Sequence, residues 1–141
     1  MTENTTPRFI ALDIHGQPVA DGMEHLITHD TLTGLEWTDA SGGRELTHEK
    51  AMAACAAVTI AGGGWRPPTR QELQSILDLT REDPAFDQKA FPFVKPSWYW
   101  SSDLAAWSSA SAWGVYFSYG AVDDSRRAFD GFALACRRAG Q

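Results

Sequence analysis

An α+β domain, two short helices packed on an antiparallel sheet or meander, is what the sequence predicts, and three observations predict it. Thr69 and Glu72 form a capping box ahead of an apolar stripe of Leu73, Ile76 and Leu77. Residues 112–119 alternate, with Trp113, Val115 and Phe117 on one side and Gly114, Tyr116 and Ser118 on the other; Phe132, Leu134 and Cys136 repeat the period of two. Two short apolar runs, Leu26 to His29 and Leu35 to Trp37, flank a turn at residues 30–34 and read as a hairpin. Helices followed by antiparallel strands make the α+β pattern.

In chain order, residues 1–7 are polar and Arg8 to Ile14 reads as a strand ended by the turn signal His15-Gly16-Gln17-Pro18. Residues 1–25 are expected to be an N-terminal docking segment containing that strand, and residues 26–141 the folded domain. Thr47 is placed to cap a first helix, with Ala51, Met52, Cys55 and Val58 or Thr59 on one face. Gly62-Gly63-Gly64 should terminate it and deliver the chain to Trp65. The helix after Thr69 should run out before Pro84. Residues 91–97 read as irregular, Trp98 to Ser102 as a strand bordering a loop, and 103–111, rich in Ala and Ser, as that loop. The closing strand ends near Arg138.

With 141 residues, of which 43% are hydrophobic, the chain suits one domain with a substantial core. Six Trp, seven Phe and three Tyr supply large burial per side chain. A net charge of −6 disfavours a general grip on phosphate backbones, so nucleic acid is not an expected partner. Residues 1–7 lack the basic start and apolar run of an export signal, and no later run approaches a membrane span. The expectation is a chain made in the cytoplasm without signal peptide or membrane insertion.

Thr33-Gly34-Leu35-x-Trp37, the helix ending around Cys55, Trp65-Arg66-x-Pro68-Thr69 with Glu72-Leu73, Phe91-Pro92, Tyr99-Trp100-Ser101-Ser102, Ala112-Trp113 and Cys136-Arg137-Arg138 follow one another in a distinctive order. In that order they resemble the Lcl C-terminal domain family, also called domain of unknown function 1566, over roughly residues 28–139. Pro67 and Ala135 depart from the family's usual apolar residue and arginine. The resemblance implies a C-type-lectin-like fold and a non-enzymatic recognition module. It also implies a Cys55–Cys136 pair, because such folds usually bridge that helix to that strand; the alternative is two reduced, buried thiols.

Catalytic and metal readings are weaker. His25 and His29 share a spacing of four, but their surroundings read as strand, which leaves them solvated rather than ligating. The glycine run lacks the Lys-Ser or Lys-Thr of a phosphate loop. Asp123, Asp124 and Asp130 lack calcium-loop spacing, and neither the Glu-Pro-Asn nor the Trp-Asn-Asp triplet of calcium-dependent lectins is present. No nucleophile elbow or Ser, His and acid grouping can be assembled. No cofactor is expected.

What remains is a surface. Trp107, Tyr116, Tyr119, Asp123, Asp124, Arg126, Arg127 and Asp130 lie in or beside the meander loops, where C-type-lectin-like folds present their ligand face, and Tyr, Trp and Arg are enriched at binding hot spots. Trp37, Trp65, Trp100 and Trp113 are assigned to the core. The expected partner is a bacterial surface receptor, glycan or protein, engaged by a phage tail-tip or fibre-end component whose residues 1–25 dock or self-associate in the virion. The competing expectations are a structural subunit, or a bacterial ligand-binding protein without an adhesion role.

Overall fold

A computed structural model describes residues 7–20 and 23–140; residues 1–6 and 21–22 of the expected docking segment lie outside them. The elements are β1 (Phe9–Leu12), β2 (Ile27–Asp30), β3 (Leu35–Asp39), α1 (His48–Ala56), α2 (Arg70–Gln74), β4 (Trp98–Ala105), β5 (Ser108–Tyr116), β6 (Ala121–Arg126) and β7 (Leu134–Arg138). The fold is mixed α+β with antiparallel sheets and two short helices. The described residues form two sheets, ordered β1-β2-β3-β7 and β4-β5-β6.

The closing strand does not continue the meander. β7 returns to pair with β3, setting Trp37 opposite Cys136 and Leu35 opposite Arg138; Leu35 in turn faces Asp30, and Asp30 faces Phe9. The period of two in the sequence is real, but the second face is not polar. Leu134 and Cys136 enter a core with Trp37, Leu73, Phe91 and Tyr99, while Ala133 and Ala135 enter another with Ala51, Cys55, Trp65, Trp98 and Trp100. β7 therefore alternates large against small. Its alanines leave room for three indoles.

α1 follows Thr47 and buries Ala51 and Cys55, although the Thr47 side chain makes no capping bond. It ends at Ala56, with Ala57 as its cap, so the glycine run does not terminate it. Those glycines shape a later connection: all three have positive φ, and the Trp65 indole N–H donates to Ile60 O at 2.9 Å. α2 carries the full capping box and is only one turn long, against the longer helix expected from its stripe. The Ser75 hydroxyl donates back to Glu72 O, and the guanidinium of Arg8, the residue just before β1, donates to Ser75 O at 2.7 Å, so a distant side chain meets the end of the helix. Ile76 is buried, and Leu77 packs against the core, beyond that end.

Residues 103–111 are not a loop: β4 and β5 continue to a two-residue turn at Ala106–Trp107. Most of this hairpin end is solvated on both faces, so no apolar alternation marks it. β6 likewise takes residues that read as lying in or beside a meander loop; Asp123, Asp124, Ser125 and Arg126 present no apolar face.

Trp65 to Glu72 joins the sheets. Arg66 exchanges backbone hydrogen bonds with Cys136 at 2.9 Å, Pro68 O accepts from Ser102 N–H at 2.8 Å, and the Arg70 N–H donates to Asp103 at 2.6 Å. The Arg66 guanidinium meets the Glu72 carboxylate in two bonds of 2.7 Å. At β5, Gly114 lets the Trp98 ring lie on the strand: a Cβ there would fall 2.4 Å from Trp98 Cζ2 and 2.5 Å from Tyr99 O. Replacing Gly114 by Ala should therefore cost about 1–3 kcal/mol in urea unfolding, the range for overpacking a filled core. Unchanged stability would mean that the indole is not wedged there.

Candidate functional site

The exposed end of the β4–β5 hairpin is the most distinctive polar and aromatic grouping. Trp107 is 65% exposed and meets the edge of Trp113, their centroids 5.7 Å apart at 81°. Trp113 is half-buried rather than a core residue as expected, because the Arg70 guanidinium covers its ring at 4.9 Å instead of an apolar neighbour. Arg70 is fixed by its position as the first residue of α2, where its N–H meets Asp103. Across the β5–β6 ladder Asp124 stands opposite Trp113, and Arg126 opposite Ser111. Trp107, Trp113, Arg70, Asp124 and Arg126 thus gather around one end of one sheet face.

The other candidate residues are elsewhere. Tyr116, 38% exposed, stacks on Tyr119, 65% exposed, at 5.7 Å and 14°, and its other neighbour is Trp98 at 4.8 Å. This pair sits at the far end of β5 from Trp107 and on the opposite face from Trp113; Asp123, opposite Gly114, shares its face. One loop cluster was expected, but β6 is a strand, and its successive side chains point to opposite faces. Asp130 lines a shallow pocket of about 390 Å³ with Arg44, Thr47 and Lys50.

Arg127 turns inward. Its Nε–H donates to His48 Nδ1 at 3.0 Å, and His48 Nε2–H donates to Ser101 O at 2.8 Å, which fixes the neutral ring tautomer. Burial pushes the His48 pKa down, opposed by the bond to Ser101 and assisted by the Arg127 charge. Nothing adjacent to His48, Arg70 or Asp103 in the sequence marks them for these roles. The polar flank Ser108 to Ser111 was a signal that Trp113 lies near solvent, but the cation over its ring depends on how α2 docks.

Cys55 and Cys136 are both buried free thiols. Their S–H groups point to different acceptors, Leu134 O at 3.6 Å and Glu72 Oε1 at 3.7 Å. Burial pushes each pKa up to about 12. His25 is not solvated as expected: it is buried, with Nε2 2.9 Å from Ala90 O. A concavity of about 790 Å³ lies beside it between β1 and residues 87–92, away from every candidate ligand residue. Among the described residues no three His, Cys, Asp or Glu side chains converge as a metal site, and no helix is long and apolar enough to cross a membrane.

The sequence model of the Lcl C-terminal domain matches residues 26–137. The chain belongs to the Lcl C-terminal domain family. No curated protein matches it. The Lcl C-terminal domain match begins just before β2, so β1 is an added edge strand outside it. Several motifs that carried the resemblance belong to the frame: Trp37, Trp65, Trp100 and Cys136 are buried, and Arg66 pairs with Glu72. Arg137 pairs with Glu36 at 2.9 Å and lies over the Trp65 ring at 4.3 Å. Trp107, Tyr116 and Tyr119 lie outside those motifs, so family membership specifies the scaffold and not this surface.

Two measurements test this description. A thiol reagent at neutral pH should label neither cysteine of the native protein, and both once denaturant unfolds it without reductant; rapid native labelling would contradict the burial, and labelling absent after unfolding would reveal a bridge. For His48 the folded state disfavours the proton, so the unfolded chain binds more of it and stability should fall as pH drops below about 6.5. His48→Gln should be less stable at pH 8 and should lose that part of the decline.

Proposed function

We propose that this Lcl C-terminal domain is a non-enzymatic recognition module of C-type-lectin-like fold that binds a glycan or protein receptor on a bacterial surface through the Trp107 end of the β4–β5 hairpin. The observation that carries this reading is a tryptophan held 65% exposed on a two-residue turn and backed by Trp113, with Arg70, Asp124 and Arg126 beside it. An exposed ring backed by a second aromatic presents apolar area at little conformational cost, and flanking carboxylate and guanidinium groups can bond hydroxyls or amides. The buried thiols and the doubly engaged His48 ring leave these groups suited to framework roles rather than turnover.

In the same reading the module works at the outside of a larger assembly such as a phage tail end, with the segment before β2 as its attachment. Phe9–Leu12 are already paired in the sheet, so attachment would use that strand's outer side or residues beyond it.

Adsorption of the purified protein to host cells, with a glycan array as a second readout, tests the proposal. Trp107→Ala should weaken binding about tenfold or more, the scale of a hot-spot aromatic, while leaving the melting temperature nearly unchanged. Binding untouched by both Trp107→Ala and Tyr116→Ala, with assembly into particles lost, would replace the recognition reading by that of a structural subunit.

A further inference from the structure

The outer edge of β6 is the least satisfied backbone in the β4-β5-β6 sheet. Arg127 N–H donates to Ala110 O, which sets the phase of the ladder: Ser125, Asp123 and Ala121 bond toward β5, and Val122, Asp124 and Arg126 turn their amides outward. Asp124 confirms the phase, since its N–H is taken by the neighbouring Asp123 carboxylate at 2.8 Å rather than by β5. Among the described residues, Phe129 N–H to Arg126 O is the backbone bond that reaches this side; the Val122 and Arg126 N–H and the Val122 and Asp124 O have no partner there. Pairing at Asp124 would exchange its N–H from the exposed Asp123 carboxylate, while Arg126 O accepts a second bond. The other sheet edges are partly covered: residues 17–19 bond along β1, Arg66 pairs with β7, and Phe132 and Pro68 bond to β4.

The charges on this edge lack partners as well. Asp123, Asp124 and Arg126 form no ion pair among the described residues. Charged side chains on an edge strand ordinarily block pairing. Here they block some registers and match in one. A second copy pairing antiparallel must align outward amides with outward amides, which places the two-fold axis on a residue. An axis on Asp123, Asp124 or Arg126 sets that charge against its own copy, and an axis on Val122 leaves every charge without an opposite. An axis on Ser125 puts Asp124 of each copy opposite Arg126 of the other.

We propose that β6 is a self-association edge, on which a second copy of this chain pairs antiparallel about Ser125 to form a six-stranded sheet with reciprocal Asp124–Arg126 pairs. Asp124 and Arg126 also flank Trp107 in the receptor site proposed above, but the association is read without any ligand, so its outcome is separate from that reading. Such an interface is short, below the roughly 1,200–2,000 Å² of stable complexes, so the dimer is weak in dilute solution and forms where copies are held close. It brings the two Trp107 hairpin ends near one axis, because Ser125 lies opposite Ala112 on the Trp107 side of β6.

Sedimentation velocity of the full chain from about 10 μM to about 1 mM, in low and high salt, reads the association. The wild type should dimerise with rising concentration and less so in high salt. Arg126→Asp and Asp124→Arg should each weaken dimerisation about tenfold or more, with circular dichroism unchanged. An equimolar mixture of the two variants should dimerise again, since every opposed pair then joins Asp to Arg, and the double variant D124R/R126D should recover alone. A wild type monomeric throughout, single variants that associate like the wild type, or a mixture that stays monomeric would each overturn the proposal.

Discussion

The ion pair between Arg66 and Glu72 is the constraint on which the two-sheet arrangement depends. Glu72 accepts both guanidinium bonds, the Thr69 N–H at 2.9 Å and the Cys136 S–H at 3.7 Å, while its own N–H goes to the Thr69 hydroxyl. The hydrogen bonds from Arg66 hold its pKa down at about 2 against burial, which pushes the other way. One carboxylate thus fixes where α2 starts, how the segment from Trp65 turns, and where β7 lies relative to that helix. The bidentate geometry matters more than the charge, because a planar fork fixes orientation as well as distance. With that segment in place, Pro68 and Arg70 reach β4, and the second sheet has its position.

What could be read in the sequence were the features whose cause is local. The capping box, the hairpin turn at residues 30–34 and the aromatic strand from Trp98 each rest on residues adjacent in the chain, and each is present. The Lcl C-terminal domain signature was equally legible, because its residues build the frame. Features set by distant neighbours were not. β7 joins β3 rather than β6, with Arg66 bridged to Cys136 on its other side, and the Ser75 O at the end of α2 is met by Arg8, which precedes β1; all are neighbours far apart in the chain. β6 and the end of the β4–β5 hairpin were missed because solvent on both faces erases the period that marks a strand. The candidate surface suffered most from this. Treating Asp123 and Asp124 as neighbours in a loop joined side chains that a strand sends to opposite faces.

Frame and surface are also separate energetically. The buried indoles of Trp37 and Trp100, the glycine under Trp98 and the Arg66–Glu72 pair lie where volume and hydrogen-bond geometry are tightly specified. Trp107, Tyr119 and Asp123 are exposed and contribute little packing, so their replacement falls mainly on whatever they contact outside the chain. A scaffold of this kind can change its outer residues while its core remains fixed.

The register of the first sheet has a consequence for how the domain can be carried. Phe9, Asp30, Leu35 and Arg138 lie in one row across β1-β2-β3-β7, so the chain enters and leaves at the same end of that sheet. Three strand spacings, about 14 Å, separate the entry from the exit. A unit with neighbouring ends can be spliced into a surface loop of a host protein as readily as it can be hung from a terminus, since neither arrangement requires a strand to be pulled from its place. In a spliced arrangement the host would hold it by two leads, which restricts its rotation far more than a single tether does.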